Sequence, residues 1–444
     1  ASARYPLPMR CRYLESDLCH SCTRANVAYA EQLAAKDAAV RALLERSARA
    51  KGAASPEIEW DPPFASAEEG FRNKAKLAVG GTLSAPTLGI LGSDKRGIDI
   101  ADCPLYEPAV ASGIEPLREF IGLAGLTPFD VPSGRGELKS VILTGSPDGE
   151  LMVRFVLRST ESLVRIRKHM SLLRQWLPRI AVVSVNLLPE RKAVLEGEKE
   201  ILLGPEQSLR MDLGDVALRL RPQSFFQTNT RVAVGLYRQA REWVGLLCDA
   251  EGGGSHDLEA KRAEPADSEA KGAKAKGAKP ASSASAGGRS IELWDLYCGV
   301  GGFALHCAGP GRRVTGVELS AQAVESARAS AAAAGIDADF IVGDSLSAAR
   351  ELGTADVVVV NPPRRGIGGL ASWIDASQIR FVLYSSCNPA SLAADVASMP
   401  SFRPVRARVF DMFPHTGHTE TLVVLARTPR PEPRRLPHRS RRSS

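Results

Sequence analysis

The second half of the chain predicts an α/β fold: a doubly wound, mainly parallel sheet with helices on both faces. Three observations carry this expectation. From Ile291 onward, short apolar runs alternate with helical stretches, the pattern of strands joined by helical crossovers. The run Asp295-Leu296-Tyr297-Cys298-Gly299-Val300-Gly301-Gly302-Phe303 reads as strand, glycine-rich turn and helix, a turn that lets a ligand approach the backbone closely. The most reactive residue types then fall at strand ends, on the edge where open α/β sheets bind ligands.

The elements follow in order. Thr230 to Leu247 is a helix, and Ile291 to Tyr297 is the first strand of the sheet. Arg313 to Glu318 is a strand, Ala321 to Ala334 an alanine-rich helix, and Phe340 to Val342 and Asp356 to Val360 are further strands. Phe381 to Ser385 is a fifth strand, and Arg406 to Phe410 with Thr419 to Ala426 read as a closing pair. The region Ala109 to Arg219 is richer in β-alternation, for example Leu151 to Leu157, and reads as a separate, smaller α+β module. Between helix and sheet, Asp249 to Arg289 is low in complexity and holds seven acidic and seven basic side chains. It lacks the apolar surface to offset its ordering entropy and is expected to be a disordered insert. The expected division is therefore 1–108, 109–219, a catalytic unit 220–428 interrupted by 249–289, and a basic tail 429–444.

At 444 residues the chain has room for two or three domains. No run of about 18 apolar residues and no charged-then-apolar leader is visible, which argues against membrane-spanning and secreted classes and for a cytoplasmic protein. The net charge of +7 resembles a nucleic-acid signal, but Arg427 to Ser444 alone holds seven arginines against one glutamate. The body of the chain is nearly neutral, and such a tail is a solvated appendage first and a phosphate-binding element second.

Asn361-Pro362-Pro363-Arg364-Arg365-Gly366 follows the fourth strand, Ser386-Cys387-Asn388 follows the fifth, and His415-Thr416-Gly417-His418-Thr419-Glu420 precedes the last. A thiol, a rigid turn and a late carboxylate supply a nucleophile, a substrate-orienting element and a base. Taken singly, Cys387 is equally well an inert buried thiol and Glu420 a strand-edge charge. Glu318 ends the second strand, where a carboxylate accepts both hydroxyls of a ribose. Gly299-x-Gly301-x-x-Ala304 with that acid fits a dinucleotide as well as S-adenosylmethionine. The Asn-Pro-Pro turn favours S-adenosylmethionine, since hydride transfer has no use for it. Asp344 reads either as an adenine contact or as turn chemistry.

These motifs, with Asp411-Met412-Phe413-Pro414-His415-Thr416, Ser224-Phe225-Phe226-Gln227-Thr228-Asn229 and Glu69-Gly70-Phe71-Arg72-Asn73-Lys74, run along nearly the whole chain. Together they resemble the RNA uridine C5-methyltransferase family. Many of its members carry Asp where Asn361 stands, and Asn favours the 23S rRNA branch that lacks an extra N-terminal domain. The resemblance implies a Rossmann-like S-adenosylmethionine methyltransferase domain, a smaller α+β RNA-binding module and an N-terminal iron–sulfur segment. It implies that Cys387 attacks C6 of uracil and Glu420 removes the C5 proton. Gln227, Tyr297, Glu318 and Asn361 would lie against the donor, with Asn361 between donor and base. The implied partner is RNA, a hairpin loop of 23S rRNA, met by a monomer away from any membrane.

Cys11, Cys19 and Cys22 are spaced C-x7-C-x2-C, and Cys103 lies in Asp102-Cys103-Pro104. From spacing alone four thiolates suit zinc first and an iron–sulfur cluster second. The resemblance reverses this order and implies a [4Fe–4S] cluster. Disulfides are not expected without a secretion signal. With about ten residues before Cys11, RNA contact is expected to rest on the central module and the cysteine region, through Arg72-Asn73-Lys74, Lys76 and the run Arg135 to Lys139.

Overall fold

The computed structural model of the chain describes residues 9–49, 58–190, 196–251 and 290–428. Of the insert expected at 249–289, residues 249–251 are helical and 252–289 lie outside the described residues, as does the basic tail from 429.

The N-terminal segment contains helices α1 (Arg12–Glu15) and α2 (Tyr29–Arg49) and the short strand β1 (Glu59–Trp60). A seven-stranded sheet follows, built from β2 (Lys74–Thr82), β3 (Ala85–Leu91), β4 (Gly97–Asp99), β5 (Leu138–Gly145), β6 (Leu151–Leu157), β7 (Ile180–Leu187) and β8 (Lys199–Leu202). Its helices are α3 (Pro108–Leu123), α4 (Leu163–Lys168) and α5 (Met170–Trp176). Val110, Leu117 and Phe120 of α3 pack into one core with Leu143 and Phe155 of the sheet. The module thus begins at Lys74, well before the Ala109 at which its β-alternation becomes readable. The reason is local: β2 and β3 close on β4 at glycines, where a Cβ on Gly80 would stand 2.7 Å from the Gly97 backbone and one on Gly89 would meet the Ile98 carbonyl. Glycine removes the side-chain alternation that marks a strand in sequence.

The hairpin β9 (Leu209–Asp212) and β10 (Ala217–Leu220) belongs with the other unit. Met211 and Leu218 join the core that holds Trp243 and Phe303, although both fall inside the expected 109–219 module.

The catalytic unit contains α6 (Thr230–Glu251), β11 (Ile291–Asp295), α7 (Gly302–Cys307), β12 (Arg312–Glu318), α8 (Ala321–Ala334), β13 (Asp339–Val342) and α9 (Ser345–Leu352). It continues with β14 (Val357–Val360), α10 (Gly369–Ala376), β15 (Phe381–Ser386), α11 (Pro389–Ala397), β16 (Phe402–Phe410) and β17 (Glu420–Arg427). The strand order is β1-β16-β17-β15-β14-β11-β12-β13. Strands β11 to β15 run parallel, and β17 is inserted antiparallel between β15 and β16. The order reverses at β11, so β11 and β14 frame a crevice at their carboxyl ends. Buried on both faces, β14 is four consecutive valines, as a central parallel strand should be. Helix α8 starts on Ser320, whose hydroxyl accepts from the Ala323 amide, and stops at Gly335 with φ 63°.

The N-terminal segment is no separate layer. Strand β1 extends the catalytic sheet by parallel pairing with β16, and α2 packs against β16 and α11. No helix among the described residues is long and apolar enough to cross a membrane.

Candidate active site

Cys387 and Glu420, the residues expected as nucleophile and base, meet through strand register. Strands β15 and β17 are antiparallel with Ser386 opposite Thr421 and Ser385 opposite Leu422. Continuing the ladder one step sets Cys387 opposite Glu420, and directly opposed residues share a face. Glu420 is 1% exposed, and burial pushes its carboxyl up to about 7, a rise moderated by a hydrogen bond from Ser385 Oγ at 2.5 Å. Cys387 is half-buried at the strand tip. Burial and the Glu420 carboxylate raise its thiol, and the Arg364 guanidinium works against both. The thiol is therefore not held as a resting thiolate.

Three loops are fastened to one another here. Asn388 caps α11 through its side-chain oxygen on the Ala390 amide and donates from Nδ2 to the Arg364 carbonyl at 2.8 Å. Arg364 Nη2 lies 3.1 Å from His418 Nδ1. The loop after β14, the loop after β15 and the loop before β17 are thus one assembly. Asn361 stands half-buried at the head of the first of them, immediately after Val360.

The donor side is built on the glycine turn after β11. Gly301, φ 87°, caps α7 in the left-handed region, and a Cβ at Gly302 would stand 2.6 Å from the Tyr237 hydroxyl. Glu318 accepts from the Gly299 amide at 3.2 Å and the Ser320 amide at 2.9 Å. These bonds fix a carboxylate that still has lone pairs for two hydroxyls. A cavity of about 250 Å³ is lined by Tyr297, Asp344, Leu346, Pro363, Arg365 and Ile367. Asp344 is the N-cap of α9, accepting from the Ser347 amide, so its turn chemistry is real, and it lines the cavity as well. Gln227 is 5% exposed in the segment entering α6.

Asp295 went unremarked in the sequence beyond its place in the motif. It is fully buried beneath the glycine turn, Oδ2 accepts from the Ala304 amide, and burial lifts it to about 7 against the lowering effect of the Ala304 and Tyr297 amides. An acid ending a strand directly before a glycine turn was the available signal.

The four cysteines are gathered from two segments. Arg12 Nη2 donates to Asp102 Oδ1 at 2.7 Å and the Tyr13 hydroxyl donates to the same oxygen, joining the Cys11 segment to the Cys103 segment. Burial, then Cys103, Cys19 and Cys11, push the Cys22 thiol up to about 12, and Cys11 and Cys19 likewise act on Cys103. The Arg72 guanidinium opposes these rises at both thiols, and its buried Nε has no hydrogen-bond partner among the described residues. All four thiols are half-buried, and none forms a disulfide. Among the described residues no group of three or more His, Cys, Asp or Glu is set to hold a metal ion. The two observations are compatible: the thiols are close enough to feel one another's charge without converging on one point.

Several basic residues expected to touch RNA have internal partners instead. Arg72 is turned towards the cysteines. Asn73 is 1% exposed and donates to the Gln227 carbonyl at 2.9 Å and to Thr230 Oγ1 at 2.8 Å. Burial lowers Lys74 to about 8, Lys76 pairs with Glu196 at 2.7 Å, and Lys139 donates to the Glu190 carbonyl. The backbone of Arg72 bridges Tyr106 on one side and Asn229 on the other, so the cysteine segment and the Gln227 segment flank one short strand. His415 Nε2 lies 2.9 Å from the Glu68 carbonyl, and His418 Nδ1 lies 3.1 Å from Arg364 Nη2.

The strand order with its antiparallel β17, and the glycine turn with its acid one strand over, define an S-adenosylmethionine-dependent methyltransferase fold. The solved structure of the Pyrococcus abyssi tRNA (uracil-54, C5)-methyltransferase, in complex with S-adenosyl-L-homocysteine, shares that fold. It aligns at TM-score 0.66 and 24% identity over 91% of this chain and 86% of its own. The family model described as tRNA (Uracil-5-)-methyltransferase matches residues 281–428. The 23S rRNA (uracil(747)-C(5))-methyltransferase RlmC of Halothiobacillus neapolitanus is 42% identical over 94% of this chain and all of its own length. The RlmC of Escherichia coli K12 is 40% identical over the same share of this chain and all of its own. The chain belongs to the RNA (uracil-C5)-methyltransferase family.

Proposed function

We propose that the protein methylates C5 of a uridine in 23S rRNA, with S-adenosylmethionine as donor and a covalent Cys387–uracil intermediate. The observation that carries this reading is the joining of the Asn361, Cys387 and Glu420 loops at one sheet edge, beside a glycine turn and a ribose-binding carboxylate. C5 of uracil is a weak nucleophile. Addition of Cys387 Sγ to C6 moves the C5=C6 electron pair into an enolate and makes C5 nucleophilic. Bound S-adenosylmethionine supplies an electrophilic methyl group. Gln227, Tyr297, Glu318 and Asn361 hold and orient that donor, with Glu318 on the ribose and Asn361 towards the base. C5 takes the methyl group, Glu420 accepts the C5 proton, the double bond re-forms and the thiolate leaves. A carboxylate near 7 suits this task, being partly ionised at neutral pH and willing to keep a proton.

The test is a map of 5-methyluridine in rRNA and tRNA from cells lacking the protein. Loss of one 23S site, restored by the gene, is the expected result. Loss confined to a tRNA loop would overturn the rRNA assignment and keep the chemistry.

The four cysteines are read as the ligands of a [4Fe–4S] cluster, which would supply a cross-link rather than a reactive centre. The donor set is all thiol, and the unpartnered Arg72 Nε beside it offers a positive charge to an anionic group. Anaerobically purified protein should be brown, with iron and sulfide in equal amounts. Cys22→Ser should remove the colour and most of the soluble yield, because cluster binding is coupled to folding. Colourless protein with one zinc would overturn the cluster. The N-terminal segment also reaches the base loop, since the Arg24 amide donates to the His415 carbonyl at 2.8 Å. Loss of the cluster is therefore expected to disturb both sides of the site.

A further inference from the structure

We propose that Ser385 is the positioning residue of the general base: its hydroxyl pins Oε1 of Glu420 to the strand carrying Cys387, leaving Oε2 to meet the C5 proton. The proposal rests on the reading of Glu420 as that base.

Ser385 is 0% exposed in a strand whose preceding members are Phe381, Val382, Leu383 and Tyr384. A hydroxyl buried in such a run is costly unless bonded, and alanine would satisfy the strand at nearly the same volume. Among the described residues its one side-chain partner is Glu420 Oε1, at 2.5 Å. Ser385 and Glu420 are diagonal neighbours on one face of the β15–β17 ladder, and the opposed pair on that face is Cys387 and Glu420. The bond therefore sets the carboxylate relative to the strand that also sets the thiol. An unpinned carboxylate would rotate about its last bond and share its time between orientations. A pinned one presents a single oxygen to the methylated adduct. The step it serves balances simply. The C5 proton passes to Oε2, the C–H electron pair becomes the C5=C6 bond, and the C6–Sγ pair returns to sulfur as thiolate.

Other groups around Glu420 do not duplicate this role. From β15, Cys387 acts on it by charge, and from α6, Tyr237 does so without a bond. On β16 the residue in register is the apolar Phe410. In the preceding loop Asp411 is taken by Lys36, His415 by Gln32 and the Glu68 carbonyl, and His418 by Arg364. Burial raises the Glu420 carboxyl and the Ser385 bond lowers it, so removing the hydroxyl moves it further up.

The experiment uses single-turnover reactions of the full-length holoenzyme with RNA tritiated at uridine C5, reading tritium release against pH, and methyl incorporation from labelled donor in parallel. In wild type the acid limb of tritium release should lie near pH 7, where Glu420 ionises. Ser385→Ala should move that limb up by about one pH unit and slow release at pH 7 about fivefold. Methyl transfer should persist, so a covalent protein–RNA species accumulates. Ser385→Cys, a weaker donor of similar size, should fall between, and Ser385→Thr should restore the limb. A limb that stays in place in Ser385→Ala, or in Ser385→Cys should the alanine variant not fold, overturns the proposal, even if the rate drops uniformly. The base assignment fails separately if Glu420→Gln releases tritium at the wild-type rate.

Discussion

Cys387→Ala is expected to abolish methylation, with turnover down by on the order of 10⁴-fold or more, because no other group is set to add to C6. The loss should be purely chemical. Cys387 is half-buried at a strand tip, and the loop around it is held by Ser386 and Asn388, whose side chains bond the backbone of that loop. Removing one sulfur there should change stability by less than about 1 kcal/mol. Cys387 does not line the cavity formed by Tyr297, Asp344, Pro363 and Arg365, so the affinity for S-adenosylhomocysteine, read by calorimetry, should stay within about twofold, well under the tenfold that 1.4 kcal/mol would cause. RNA carrying 5-fluorouridine should trap wild type as a covalent adduct, since fluorine at C5 cannot leave as a proton, and the variant should give none. Measurable turnover by Cys387→Ala would remove the covalent intermediate from the mechanism. The raised thiol adds a condition: for thiolate to form, the Arg364 guanidinium must offset burial and the Glu420 carboxylate.

Contiguous features were legible in the sequence. The glycine turn, the Asn-Pro-Pro turn and the Ser-Cys-Asn segment are local words, and each is where a strand end was expected. Helix α8 kept its expected bounds because Ser320 and Gly335 punctuate it. What could not be read were partnerships between distant residues. Lys36 meets Asp411 across 375 positions, and Gln32 meets His415 across 383. In sequence, Lys36 is one more charge on an amphipathic helix. Ser385 reads as a neutral neighbour of Cys387, since only the antiparallel register turns it towards Glu420. Arg72, Lys74 and Lys76 looked like a basic face because composition carries no direction, and burial, Glu196 and the cysteines decide where they point. The hairpin Leu209–Leu220 was assigned to the wrong unit for the same reason. Its alternation reveals a strand but not which core receives the apolar face.

Lys36→Met is expected to produce the largest loss of stability among changes outside the chemistry, about 3–5 kcal/mol. Lys36 Nζ donates to Asp411 Oδ1 at 2.7 Å and to the Phe413 carbonyl at 3.0 Å, and the two side chains are 1% and 0% exposed. Methionine keeps the length and apolar stem of lysine but removes the charge. The Asp411 carboxylate would then be buried with the Tyr29 hydroxyl beside it and without the lysine that neutralises it. This ion pair does more than join helix α2 to the sheet. Asp411 opens the loop that ends at Glu420, and one helical turn before Lys36, Gln32 accepts from the His415 amide at 3.0 Å. His415 sits at φ 61°, a conformation unfavourable for histidine that the surrounding bonds must hold. Loosening α2 should therefore slow proton removal beyond what lost stability explains, and this should appear as adduct accumulation under conditions where the variant is fully folded. Lys36→Met combined with Asp411→Leu should regain much of the stability, since an apolar pair replaces an ion pair at little cost. The urea midpoint, followed by the fluorescence of Trp243 and Trp294 in the two cores of this unit, measures both. A single variant that loses less than about 1 kcal/mol, within the range of an exposed ion pair, would show that the loop before Glu420 does not depend on this helix.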